Sequence, residues 1–137
     1  MALTVLDAGV VIAILDASDV HHAAATQAVA SAIGRGDDLV LPASAYAEIL
    51  VAPYGRGADA VVTVDAFVDA LPARVEPATR AVAAMAAELR SRNGNQLRLP
   101  DALVVATAMV LGAELVVTTD ARWPRLPVPV ELARAQA

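Results

Sequence analysis

The sequence predicts an α/β protein, a mostly parallel sheet covered by helices on both faces, folded as a single domain over residues 1–137. Three observations lead there. Short runs rich in aliphatic and β-branched residues alternate with longer Ala- and Leu-rich segments, the pattern of strand followed by helix. The strand-like runs are apolar nearly throughout, as strands buried on both faces must be. The length of 137 residues fits one domain, and neither a repeat nor a linker divides it.

Ala2 to Leu6 reads as a buried strand that meets Asp7, Ala8 and Gly9 at its carboxyl end. A short helix is expected from Val10 to Leu15, and a longer one capped by Asp19 and stopped by Gly34 and Gly36. Asp38 to Leu41 is a second strand. Pro42 to Ser44 turns the chain into a helix that carries Glu48 and is expected to run until Pro53, Gly55 and Gly57 break it. Ala58 to Leu71 has apolar residues at helical spacing with Asp59, Asp65 and Asp69 opposite them. Arg74 to Glu76 is a minimal third strand. Thr79 to Arg92 is a helix with Arg in its last turn, where the macrodipole favours cations, and Asn93-Gly94 stops it. Leu99-Pro100-Asp101-Ala102-Leu103 opens a buried helix that ends near Gly112. Glu114 to Thr118 is a strand with Asp120 beyond it, and Val128 to Val130 adds a last short one.

Composition narrows the chemistry. The chain is 58% hydrophobic, yet its longest uncharged apolar runs, Ala8 to Leu15 and Ala102 to Ala113, fall short of the roughly 18 residues of a membrane span. No basic segment precedes the first apolar stretch, so neither a secretory nor a transit peptide is expected, and the cytoplasm is the expected compartment. With no cysteine, disulfides, thiolate metal sites and Cys nucleophiles are excluded, and any metal should be hard and oxygen-bound. The net charge of −5 and pI near 4.8 argue against nucleic-acid binding by bulk positive field. One or two bound divalent ions would bring −5 to −3 or −1 and would themselves attract phosphate. All ten basic residues are Arg, which suits bidentate phosphate binding.

Four acids stand apart from ordinary surface charge. In open parallel sheets ligands bind beyond the carboxyl ends of the strands, where Asp7 and Asp120 fall. Asp101 occupies the first turn of an almost wholly apolar helix, and Glu48 is bounded by apolar residues, so both are expected to point somewhere enclosed. Bare carboxylates about 4 Å apart repel by roughly 4 kcal/mol at an effective dielectric near 20. Protonation or a cation must relieve that. Oxygen-only ligation points to Mg²⁺ or Mn²⁺, one or two ions, which activate water and steady the leaving oxygen of a phosphodiester.

The spacing of Asp7, Glu48, Asp101 in the run LPDALVVATA and Asp120 in VVTTD resembles the PIN-domain nucleases, particularly the VapC-type toxins of bacterial toxin–antitoxin pairs. The resemblance covers nearly the whole chain. It implies an α/β/α sandwich, Mg²⁺- or Mn²⁺-dependent endoribonuclease activity, frequent homodimers and inhibition by a cognate antitoxin. It assigns Asp7, Glu48, Asp101 and Asp120 to the acidic positions, with Asp7 and Asp101 as direct ligands and Thr118 as a hydroxyl beside them. Gly9 departs from the pattern: many members carry Ser or Thr two residues after the first Asp, and its loss is expected to weaken metal binding or slow cleavage.

Each acid has an ordinary reading too: Asp7 closing a turn, Asp101 capping a helix, Glu48 solvated, Asp120 in a loop. Four coincidences at matching positions favour the joint reading. His21 and His22 are expected to face solvent. Arg90, Arg92 and Arg98 are candidates for a rim that meets RNA phosphates. Trp123, Tyr46 and Tyr54 are expected to pack, and Ala58 to Leu71 to form part of a partner or dimer surface. Among rival functions, a phosphotransferase of the haloacid-dehalogenase type needs an acid at position 9 and a Lys, and absence of Lys also removes a Walker A site and counts against a receiver domain. No GxGxxG pattern supports dinucleotide binding. The rival that remains is a PIN domain with reduced catalysis that binds RNA or protein without cutting.

Overall fold

In the computed structural model, which describes residues 2–135, five strands form one all-parallel sheet in the order β3-β2-β1-β4-β5. The strands are β1 (Leu3–Leu6), β2 (Asp38–Pro42), β3 (Ala73–Glu76), β4 (Leu115–Thr118) and β5 (Val130–Leu132). The helices are α1 (Ala8–Leu15), α2 (His22–Gly34), α3 (Ala43–Arg56), α4 (Ala58–Ala70), α5 (Arg80–Asn93) and α6 (Leu99–Leu111), with a 3-10 turn at Gly94–Gln96. In the central register Val5 sits between Val40 and Val116, and Val5, Leu6, Val40, Leu41, Val116 and Val117 are all buried. Apolarity on both faces of these strands is what a parallel sheet sandwiched by helices requires.

The strand order places the site. From β1 the chain steps outward to β2 and β3, then returns across the sheet to β4 on the other side of β1. Right-handed crossovers therefore put α1 to α4 on one face and α5 and α6 on the other. The reversal falls between β1 and β4, where the first turns of connections on opposite faces part and leave a crevice at the strands' carboxyl ends. Asp7 N–H donates to Val117 O at 2.9 Å, holding that seam together.

Alanine governs the packing of the second face. α6 buries Ala102, Val104, Val105, Ala106, Thr107 and Ala108, small residues that let it lie close to the sheet while α5 covers its far side. Gly112, at φ 67°, closes α6 in the left-handed conformation typical of a helix end.

Three expected boundaries and one expected surface differ. Pro53 does not end α3, which continues to Arg56: the proline's ring is buried, and that burial offsets the one hydrogen bond it removes. α2 begins at His22 rather than behind Asp19, because Asp16 and Asp19 instead accept from the backbones of Ser18 and His21 in a preceding turn. β5 is Val130–Leu132, not Val128 to Val130, since Pro127 and Pro129 lack the N–H a ladder needs and only the Pro129 carbonyl joins it. In α4, Val64 and Val68 belong to the core and Phe67 packs against it, so Val62 is the exposed apolar residue left from that segment's expected partner surface. No helix among the described residues is long and apolar enough to cross a membrane.

Candidate active site

Asp7 is held by its neighbours before any ligand arrives. It is the N-cap of α1: Oδ1 accepts from Ala8 N–H at 2.9 Å, and Oδ2 accepts from the Thr118 hydroxyl at 2.7 Å. Thr118 is fully buried at the end of β4, and its hydroxyl also accepts from Asp120 N–H at 3.1 Å. One hydroxyl thus ties the first acid to the last across the seam. Asp7 is only 6% exposed, and burial pushes its carboxyl from 3.8 up to about 6. Hydrogen bonds from Thr118 and Ala8 oppose the rise, while the charges of Asp101 and Glu48 add to it.

The other three acids belong to different elements and act on Asp7 or on one another. Asp101 lies in the first turn of α6; burial and the charge of Asp120 raise its carboxyl, against the pull of Arg98, Arg122 and the Trp123 indole. Glu48, on α3, is raised by partial desolvation and by Asp101, and lowered by Arg98. Asp120 goes the other way, because Arg122 grips it through Nε and Nη2, both at 3.1 Å, and holds the carboxyl below its usual range. Asp101 is the hub of these repulsions, felt by both Asp7 and Glu48. The N-termini of α1 and α6 both open here, adding partial positive charge that helps hold anions.

Glu48 is not enclosed as its apolar surroundings suggested: it is an exposed residue at the edge of a cavity of about 690 Å³ walled by Ile12, Leu15, Ile49, Ala52, Pro53 and Val64. The apolar residues around it in sequence face the core, and the helix turns Glu48 outward. Among the described residues no three Asp, Glu or His side chains stand close enough to form a ready-made cage for an ion. The donor set nonetheless suits a hard cation. Mg²⁺ typically keeps several waters and takes only one or two protein carboxylates, so an open acidic face fits it better than a closed cage would.

The basic surroundings differ from the expected rim. Arg98 acts on Glu48, Asp101 and Asp120, as a residue at the crevice should. Arg92 is instead paired with Glu88 on α5 at 2.6 Å, while Arg90 Nη2 donates at 3.2 Å to Asn95, which lines the small cleft beside Asp101 and Asp120. Arg122 joins Arg98 in lining the cleft that holds Asp101 and Asp120. It is recognisable in sequence only through its position two residues beyond Asp120. Trp123, expected to pack, does so in part, yet its buried indole N–H lacks a partner at hydrogen-bonding geometry and acts on Asp101. Tyr46 is partly buried and bonded to Asp65, while Tyr54 is 69% exposed. His21 and His22 are half-buried rather than solvated, with Nδ1 of each engaged by backbone: His21 with Ala135 N–H and His22 with Ala13 O.

A five-stranded parallel sheet with Asp7 and Asp120 just beyond the ends of neighbouring β1 and β4, and with Asp101 of α6 and Glu48 of α3 near enough to raise one another's carboxyls, defines a class. The PIN-domain family model matches residues 4–129, and the chain belongs to that family of nucleases. Solved structures of similar fold include a toxin–antitoxin complex from Klebsiella pneumoniae (18% identity, TM-score 0.73, covering 99% of this chain and 100% of that one). FitAcB from Neisseria gonorrhoeae aligns at 21% identity and TM-score 0.72, covering 93% and 95%. VapC20 of Mycobacterium tuberculosis, a toxin that cleaves the sarcin–ricin loop, aligns at 20% identity and TM-score 0.66, covering 82% and 86%. No curated protein matches the chain.

Proposed function

We propose that this protein is a metal-dependent endoribonuclease, the toxin of a toxin–antitoxin pair, which cuts RNA phosphodiester bonds with Asp7, Glu48, Asp101 and Asp120. The observation that carries the reading is Asp7, a buried carboxylate at the sheet's reversal point whose ionisation is opposed by burial and by Asp101 and Glu48. A group so costly to ionise is what a bound cation would stabilise. Asp7 and Asp101 are the residues we assign to Mg²⁺ or Mn²⁺, with Glu48 and Asp120 acting through water or toward a second ion. The bound ion would supply Lewis acidity and an acidified water. The chain's own residues set the stage: Thr118 fixes the orientation of Asp7, Arg122 keeps Asp120 ionised, and Arg98 offers a cation to the strand being cut.

We assign the antitoxin to the apolar cavity between α1, α3 and α4, whose lining also includes Arg56, Asp59 and Glu48. Support comes from its apolar lining, the presence of Glu48 in that lining, and proteins of like fold whose structures are toxin–antitoxin complexes. Exposed Val51, Tyr54 and Val62 on α3 and α4 are the surface we assign to a homodimer, and the cytoplasm is the compartment we assign. A second reading, a domain with reduced catalysis that binds RNA or protein without cutting, draws on the lack of a ready-made cage among the described residues. Incubating purified protein with mixed cellular RNA and Mg²⁺ or Mn²⁺, with an EDTA control, separates the two. Metal-dependent fragments support the nuclease; intact RNA retained by folded protein supports the binder.

A further inference from the structure

Of the seven glycines, Gly9 alone has a neighbour crowding the place of a Cβ: the Thr119 hydroxyl stands too close to that position for both to remain without a shift. Gly9 has no positive φ and sits in the regular first turn of α1, so the close approach of Thr119, rather than backbone freedom, makes glycine the residue that fits. Any side chain at position 9 would drive that hydroxyl away.

The place kept for the hydroxyl adjoins a cavity of about 410 Å³ lined by His21, Thr119, Asp120, Ala121, Arg122 and Arg134. Asp120 and Arg122 also line the small cleft that holds Asp101, so the two spaces share a wall. Arg134 is brought here by two clips on the C-terminal segment: Ala133 N–H donates to Thr118 O at 2.8 Å, and Ala135 N–H donates to His21 Nδ1 at 3.0 Å. Since Nδ1 accepts, the neutral His21 ring carries its proton on Nε2 and is an N–H donor there. Arg122 is occupied by Asp120, and Arg134 has no acidic partner among the described residues, in a chain of net charge −5. Two guanidiniums, an imidazole N–H and a hydroxyl around one carboxylate make a donor-rich space that suits an oxyanion.

We propose that this cavity seats an RNA phosphate neighbouring the one that is cut, bound by Thr119 and Arg134, with Gly9 there to admit the Thr119 hydroxyl. The proposal rests on the nuclease reading and adds a second point of attachment that sets the register of the strand across the acids.

The test compares steady-state cleavage of an RNA extended on both sides of the mapped cut with cleavage of the dinucleotide spanning that bond. Thr119→Val and Arg134→Gln are each expected to raise KM for the extended RNA roughly tenfold, with kcat unchanged and the dinucleotide unaffected. Gly9→Ala should match Thr119→Val, and Thr119→Ser should restore wild-type KM. Equal losses on both substrates, or an unchanged KM, would overturn the subsite. Binding of end-labelled short RNA, followed by anisotropy in EDTA, separates this claim from the nuclease reading. Roughly tenfold weaker binding by the two variants supports the subsite even where wild type cuts nothing; binding equal to wild type rejects it.

Discussion

Asp7→Asn should abolish cleavage and yet make the metal-free protein more stable. The carboxyl rises from 3.8 to about 6 in the folded state, a difference worth about 3 kcal/mol. Because the folded pKa is the higher, the native state binds more protons than the unfolded chain between those values. About 3 kcal/mol of stability is thus present below pH 3.8 and is lost as pH rises through about 6. Asparagine stays neutral and keeps that stability at every pH. Its amide oxygen can still accept from Ala8 N–H, and the Thr118 hydroxyl can rotate to accept from the amide nitrogen in place of donating. The assay is urea denaturation in EDTA at pH 8 and again near pH 3.5, variant against wild type. The expected gap is about 3 kcal/mol in favour of Asp7→Asn at pH 8, shrinking to near zero at the lower pH. Saturating Mn²⁺ at pH 8 should stabilise wild type by mass action and narrow or invert the gap. A variant less stable than wild type at pH 8 in EDTA, or a gap that does not change with pH, would refute the reasoning.

Three further outcomes follow from the same geometry. Thr118→Val keeps shape but removes the hydroxyl that joins Asp7 to the Asp120 backbone, and should weaken Mn²⁺ affinity on the order of tenfold by calorimetry with little change in fold by circular dichroism. Trp123 is the chain's single tryptophan and its indole N–H acts on Asp101, so Mn²⁺ should change its fluorescence; the apparent affinity should fall as pH drops through about 6, where a protonated Asp7 no longer offers a charge. Val105→Ala, at a fully buried site of α6, should cost about 2 kcal/mol in denaturant melts and leave cleavage per folded molecule intact.

The frame of the fold was legible because its strands are short, apolar and followed by breakers. Asp7 and Asp120 could be placed at the strand ends from the sequence because the residues before each, Ala2 to Leu6 and Glu114 to Thr118, have no other plausible form. That these ends meet at the sheet's reversal point depends on β4 lying beside β1, a pairing of residues more than a hundred positions apart that no local pattern encodes. Glu48 shows the limit of reading burial from sequence neighbours: Ile49 and Leu50 face the core, and a helix turns the preceding residue toward solvent. The surroundings of the Arg residues show the same limit. Arg90 and Arg92 are consumed by contacts within and beyond their own helix, while Arg134 reaches the site only through the fold-back of the C-terminal segment onto Thr118 and His21. Pro53 misled because a proline breaks an isolated helix more readily than one whose ring is packed into a core.

The central claim is that the acids gathered at the reversal point hold the ion that cuts RNA. Its most direct test is a Mn²⁺ titration of wild type, Asp7→Asn and Asp101→Asn, reading Trp123 fluorescence and single-turnover RNA cleavage in the same samples. Both signals should saturate together in wild type, and both should be lost in each variant. Cleavage that survives either substitution, or metal binding that persists unchanged in both, would contradict the claim.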